Sequence, residues 1–149
     1  MAAKLKPLPA PEPVERHTLS ILVDNEAGVL GRITIVTSGP RRVIDQIRAQ
    51  LDRLVPVHSI TDLSELGPFV ERELALVKVA GVGEKRVEAL RLADIFRARP
   101  VDTTTQSFVF EISGSTTKVD QFIELMREVG LVEVARGGVV ALSRGATAQ

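Results

Sequence analysis

The chain has no cysteine, no tryptophan and no tyrosine, and only five phenylalanines and two histidines in 149 residues. Without cysteine there are no disulfides, no thiolate nucleophile and no Cys-based metal site. Few aromatics and a net charge of zero also argue against nucleic acid, which needs a basic field and, for single strands, stacking platforms. No apolar run reaches the ~20 residues of a membrane helix, and the N-terminal stretch lacks the apolar segment of a secretory signal. The expected location is therefore the cytoplasm, with no membrane partner. What remains is an ordinary globular composition, 44% hydrophobic and 26% charged, enough for one medium or two small domains.

Residues 1–15 are rich in proline and alanine and are expected to form a disordered tail. From His17 to Val23 apolar residues alternate, as in a half-buried strand. Asp24 to Gly28 reads as a turn and Ile33 to Thr37 as a second strand. Arg41 to Leu54 carries Val43, Ile44, Ile47, Leu51 and Leu54 on one helical face, after Pro40 at its front. Val57 to Leu63 is a third strand, and Gly67-Pro68 marks a boundary. Arg72 to Val79 is apolar on both faces apart from Lys78, the pattern of a central strand. A helix over 84–97 with Val87, Leu90 and Phe96 inward, strands over 101–105 and 108–112, and a helix capped by Ser115 and closed by Gly130 follow. That last helix turns Val119, Phe122, Ile123, Met126 and Val129 inward. Strands over 131–135 and 139–142 flank a Gly137-Gly138 turn.

The fold class is therefore α+β. The second half has the split βαββαβ order of ferredoxin-like folds, and the first half has the same order without one helix and one strand. The segments are a tail (1–15), a shortened first domain (16–66), a complete second domain (67–145) and a short tail (146–149).

Catalytic chemistry is not found. His17 and His58 have no partner at metal-ligand spacing and read as strand-end or surface histidines. Gly81-Val-Gly83 lacks the third glycine of a phosphate loop, since Arg86 occupies that position, and reads as a plain strand-to-helix turn. Glu71 and Glu73 read as a solvated strand start, and Phe108 and Phe110 as core. Arg41 and Arg42 stand at a helix start, where the dipole disfavours cations, so an acidic neighbour is expected. No catalytic and no metal-binding residue is assigned. One junction suits a small ligand: in Asp24-Asn25-Glu26-Ala27-Gly28, Asn25 offers both donor and acceptor to an amino-acid head group. Gly28 permits close backbone approach, and amides at a following helix start can hold a carboxylate.

The stretch from His17 to Arg32 (HTLSILVDNEAGVLGR) resembles the opening of the ACT domain in small regulatory subunits of acetolactate synthase (acetohydroxyacid synthase). Val70 to Val79, Asp94 to Arg97 with Val101-Asp102, and Leu131 to Gly145 resemble signatures of that family's C-terminal domain. The resemblance implies a non-catalytic regulatory subunit. It would bind and activate a large catalytic subunit that carries thiamine diphosphate, magnesium and FAD, while holding no cofactor itself. It implies feedback by a branched-chain amino acid, usually valine, bound between the ACT domains of a homodimer. Asn25 and Gly28 match the effector-contacting turn, and Val29 and Leu30 match the start of the ACT helix whose amides face the effector. A free-standing amino-acid sensor acting on another target is the alternative.

The family pattern places a helix, a strand and two loops after this helix start, whereas here Arg32 runs straight into Ile33. Roughly 25 residues are absent by the usual lengths of such elements. In the 4-1-3-2 strand order of this fold the first and third strands are neighbours. A direct hairpin can join them, with residues 24–32 as its loop and one sheet face partly uncovered. Either the chain is a true deletion form with a weakened effector site, or the sequence lacks a segment of the full protein; intact mass separates the two.

Overall fold

The structure, a computed structural model, describes residues 8–26 and 29–146. The chain divides into two units, 1–67 and 68–149.

The first unit contains strand β1 (Glu15–Glu26), strand β2 (Val29–Gly39), helix α1 (Arg41–Leu51), strand β3 (Val57–Asp62) and a single turn α2 (Leu63–Leu66). Its sheet is antiparallel in the order β2-β1-β3. That is the 4-1-3-2 order in which no strand among the described residues takes the place of strand 2. Residues 24–26 and 29–32 are strand, where a hairpin loop was expected. The β1–β2 ladder runs from Glu15↔Gly39 to Glu26↔Val29, broken only by an irregularity between Asp24 and Glu26. With only Val29 to Arg32 between Gly28 and Ile33, the segment is too short to nucleate a helix, and it zips onto β1 instead.

Leu19 pairs with Ile35 and Ile21 with Ile33, so these four share a face. Leu19, Ile21, Ile44 and Leu63 are the buried apolar residues of this unit among the described residues. The covering is incomplete, as the missing helix implies: Val29 and Ile33, on that same face, are each half exposed. Helix α1 stops at Leu51, three residues earlier than the apolar spacing predicts, and Leu54 is exposed. Strand β3 stops at Asp62, whose side chain accepts a hydrogen bond from the Ser64 amide and caps α2. The helix-start arginines find the acidic neighbours the dipole argument requires: Arg41 pairs with Glu65 at 2.9 Å and Arg42 with Glu12 at 3.1 Å.

The second unit runs β4 (Phe69–Ala80), α3 (Glu84–Ile95), β5 (Arg99–Thr103), β6 (Ser107–Gly114), α4 (Thr116–Val129) and β7 (Leu131–Ser143). Its sheet order, β5-β6-β4-β7, is the full 4-1-3-2 arrangement. All five α4 residues read as inward are buried, Ser115 caps the helix through Lys118 N–H, and Gly130 ends it with φ 132°. Phe108 and Phe110 lie in the core, where Phe110 meets Phe122 edge-on at 6.2 Å.

Helix α3 departs from its expected orientation. Ala89, Leu92 and Ala93 face the core, whereas Val87 and Leu90 are exposed. The small alanines let the helix approach the sheet closely, a packing preference that apolar spacing alone does not weigh. The helix ends at Ile95, ahead of Pro100. Arg97 takes φ 55° and Ala98 N–H reaches back to the Ala93 carbonyl at 2.8 Å, a Schellman closure on a non-glycine residue. Gly137 and Gly138 do not separate two strands but sit inside the continuous β7, where its register against β4 shifts.

Candidate functional site

Of the residues expected to contact an effector, Asn25, Val29 and Leu30 lie toward the end of the β1–β2 ladder. Asn25 is exposed at the ladder irregularity, and its Cβ lies 3.2 Å from where a side chain at Gly31 would begin. Gly28 lies outside the described residues. Val29 and Leu30 are half-exposed residues of β2, paired with Glu26 and Asp24. This corrects the expected helix start. Strand amides project sideways in alternation, whereas a helix N-terminus converges several donors on one anion. The convergent amides expected for a carboxylate are therefore not formed by Val29 and Leu30. At this end of the ladder, His58 and Asp24 form an exposed hydrogen-bonded pair at 2.6 Å.

Two buried ionic groups were not read from the sequence. His17 is 3% exposed rather than a surface histidine. Asp62 pairs with Leu19, which brings its carboxylate diagonally to His17, and His17 Nδ1 meets Asp62 Oδ2 at 2.6 Å. Ser64 completes the clasp: its amide donates to Asp62 Oδ1 and its hydroxyl accepts from Thr18 N–H at 3.0 Å. Glu65 brings a third potential metal-ligand atom within 4.8 Å of the other two. Both carboxylates are already engaged, Asp62 by His17 and Ser64 and Glu65 by Arg41 and Arg48, so the group acts as a tie between β1 and the β3–α2 corner.

Glu73 is likewise 4% exposed and not a solvated strand start. Arg136 of β7 grips it with two donors, one of them Nη2 to Oε2 at 2.9 Å, and reaches Asp120 of α4 at 2.7 Å. The hydrogen bonds that Arg136 donates to Glu73, reinforced by Asp120, raise the Arg136 pKa above its already high ordinary value.

The other face of the second sheet is open. Leu76 shares it with Glu111 and Ala135, Lys78 with Val109 and Glu133, and Val140 and Leu142 with Arg72 and Val70. Leu74, Leu76, Val140 and Leu142 are all exposed large apolar residues. The pairs Lys78–Glu133 (2.9 Å) and Arg99–Glu111 (3.0 Å) rim them. The residue pattern of β4 is that expected of a central strand. It is central in the hydrogen-bonded order, but only its Glu73, Ala75, Val77 and Val79 face is buried. An apolar strip with a polar rim is the kind of surface that protein interfaces use. Arg86, at the phosphate-loop position, lies over the Phe108 ring at 4.0 Å and takes no part in a loop of that kind.

A family profile described as "Small subunit of acetolactate synthase" matches residues 72–145. The chain is 37% identical to the probable acetolactate synthase small subunit of Archaeoglobus fulgidus, over 87% of this chain and 98% of that protein. It is 36% identical to the acetolactate synthase isozyme 3 small subunit of Escherichia coli, over 87% of this chain and 96% of the other. The crystal structure of the acetolactate synthase small subunit from Thermotoga maritima superposes with a TM-score of 0.77. Its sequence identity is 31%, over 89% of this chain and 99% of that one. The Archaeoglobus alignment spans 157 positions yet takes in 87% of 149 residues, so about 27 positions of the relative lie opposite no residue here.

Proposed function

The chain belongs to the acetolactate synthase small-subunit family, and on that premise we propose that it is a non-catalytic regulatory subunit that binds and activates the large catalytic subunit. That partner is the one expected to carry thiamine diphosphate, magnesium and FAD. In this reading two copies associate within the complex, and a branched-chain amino acid, valine first, is the feedback signal.

The observation that carries partner binding is the open sheet face of the second unit. Four exposed apolar side chains on ordered strands, rimmed by ion pairs, offer a preformed surface that needs no rearrangement to dock. The feedback function has weaker local support. Asn25 stays available to a ligand amine or carboxylate, but Val29 and Leu30 supply no converging amides. The expected valine response is accordingly weaker than that of a small subunit with the complete ACT helix.

The test is complex formation. The purified chain is expected to co-sediment with the catalytic subunit, and Leu76→Lys, at an exposed position, is expected to weaken binding about tenfold or more while leaving the fold intact. Unchanged affinity in that variant would assign the contact to another surface, and absence of any complex would defeat the regulatory reading.

A further inference from the structure

We propose that the cleft between helices α3 and α4 of the second unit binds a free aliphatic α-amino acid as a zwitterion. The proposal gives the feedback signal suggested above a site and rests on that reading.

The cleft has a volume of about 340 Å³, near the lower end of the range for small-molecule sites. Its origin lies in the sequence of α3. The helix gives Ala89 and Ala93 to the core, and the stripe that lines the cleft carries Glu84, Lys85 and Glu88, with Leu92 as its one apolar member. A seam between two helices packed on one sheet is ordinarily apolar. Here charged side chains border it, and the space stays open. From α4, Leu125 and Val129 line the cleft together with Glu128. Leu92 and Val129 are buried and Leu125 is partly exposed, so the three form an apolar floor.

The charges around that floor are unevenly matched. Glu88 accepts from Arg91 Nε at 2.8 Å, which engages both of them. The exposed side chains of Glu84, Lys85 and Glu128 make no hydrogen bond or ion pair among the described residues. Two carboxylates and one ammonium are thus left beside an apolar surface. A free α-amino acid carries the complementary set. Its ammonium suits Glu84 or Glu128, its carboxylate suits Lys85, and a branched aliphatic side chain brings no polar atom onto Leu92, Leu125 and Val129. A simple amine would leave Lys85 unmatched, and a simple carboxylic acid would leave both glutamates unmatched.

The charged groups are solvated, so each contact is weak and the affinity is in the millimolar range. That agrees with the reduced valine response expected above, which on this proposal passes through α3 and α4. Both helices cover the buried face of the sheet whose open face is proposed to meet the catalytic subunit. A ligand that bridges them acts one sheet away from that contact.

Amide chemical shifts of the full chain, followed by NMR during titration with L-valine, isobutylamine and isovalerate, test this. L-Valine is expected to shift amides within 84–92 and 125–129. Isobutylamine and isovalerate, each lacking one of the two charges, are expected to bind about tenfold more weakly or less. Lys85→Gln, and Glu84→Gln combined with Glu128→Gln, are expected to weaken L-valine binding by a similar factor; all three positions are exposed.

No shift at these amides with L-valine in the tens of millimolar would overturn the proposal, as would isobutylamine binding as tightly as L-valine, which would make the cleft a plain cation site. Shifts confined to the surroundings of Asn25 and unaffected by Lys85→Gln would overturn the cleft and leave the feedback reading standing. Valine inhibition of the complex is read separately; its absence while L-valine still shifts the cleft amides would defeat the feedback reading and uphold the site.

Discussion

Single residues in this chain matter mainly through buried charge and backbone geometry. Glu73 is buried and has Arg136 as its counter-ion, so removing the arginine leaves a carboxylate stranded beneath α4. Arg136→Ala is expected to cost about 2–4 kcal/mol, toward the low end because the arginine is partly solvated; the shift in urea midpoint measures it. Gly130 combines φ 132° with a backbone carbonyl, that of Ala80, 2.1 Å from where a Cβ would stand. Gly130→Ala is therefore expected to destabilise by about 2 kcal/mol or more, while Gly138→Ala, with open space around it, is expected to cost less than half of that; thermal melts of the two variants compare them. These residues were poorly legible in the sequence for a definite reason. Glu73 and Arg136 lie on separate strands, as do His17 and Asp62, and nothing local in Glu71-Arg-Glu73 or His17-Thr-Leu announces the distant partner.

Among the elements, those with strong periodicity and clear ends were read well. Helix α4 shows all three signals, with the Ser115 cap, five spaced apolar residues and Gly130, and every one of them is realised. Helix α3 presents Val87 and Leu90 at plausible core spacing, yet the sheet takes its alanine face, because close packing can favour small residues over larger apolar ones. The direct β1–β2 hairpin was legible, but the helix start expected at Val29 and Leu30 is strand. Val29 and Leu30 carry no helical propensity strong enough to hold a four-residue segment in a helix, and the neighbouring strand captures them. Element stability should differ accordingly. The first unit buries four apolar residues among those described, against a fourteen-residue cluster in the second. Amides of β1 and β2 are expected to exchange with solvent about tenfold or more faster than those of β4 and β6, as read by hydrogen exchange. Equal protection in both sheets would mean that the first unit is held by more than its own core.

For the molecule as a whole, two ferredoxin-like units of unequal completeness share one chain. The complete one carries an ordered apolar face suited to a partner. The shortened one leaves Asn25, expected to face an effector, exposed, and the expected helix start beside it is strand. The α+β class, and a first sheet in which no strand among the described residues takes the place of strand 2, were readable from the order of elements alone. The open face was not, because a strand with apolar residues on both sides looks the same whether its second face meets its own chain or another protein. A regulatory subunit of this build is expected to retain activation and lose much of its feedback. The most direct measurement is acetolactate formation by the purified catalytic subunit, titrated with this chain, with and without valine. A saturable rise in rate, with inhibition by valine weaker than that given by a small subunit carrying the full ACT helix, is the predicted result. No change in rate at any ratio of the two chains would contradict the regulatory function, and full valine inhibition would contradict the weakened effector site.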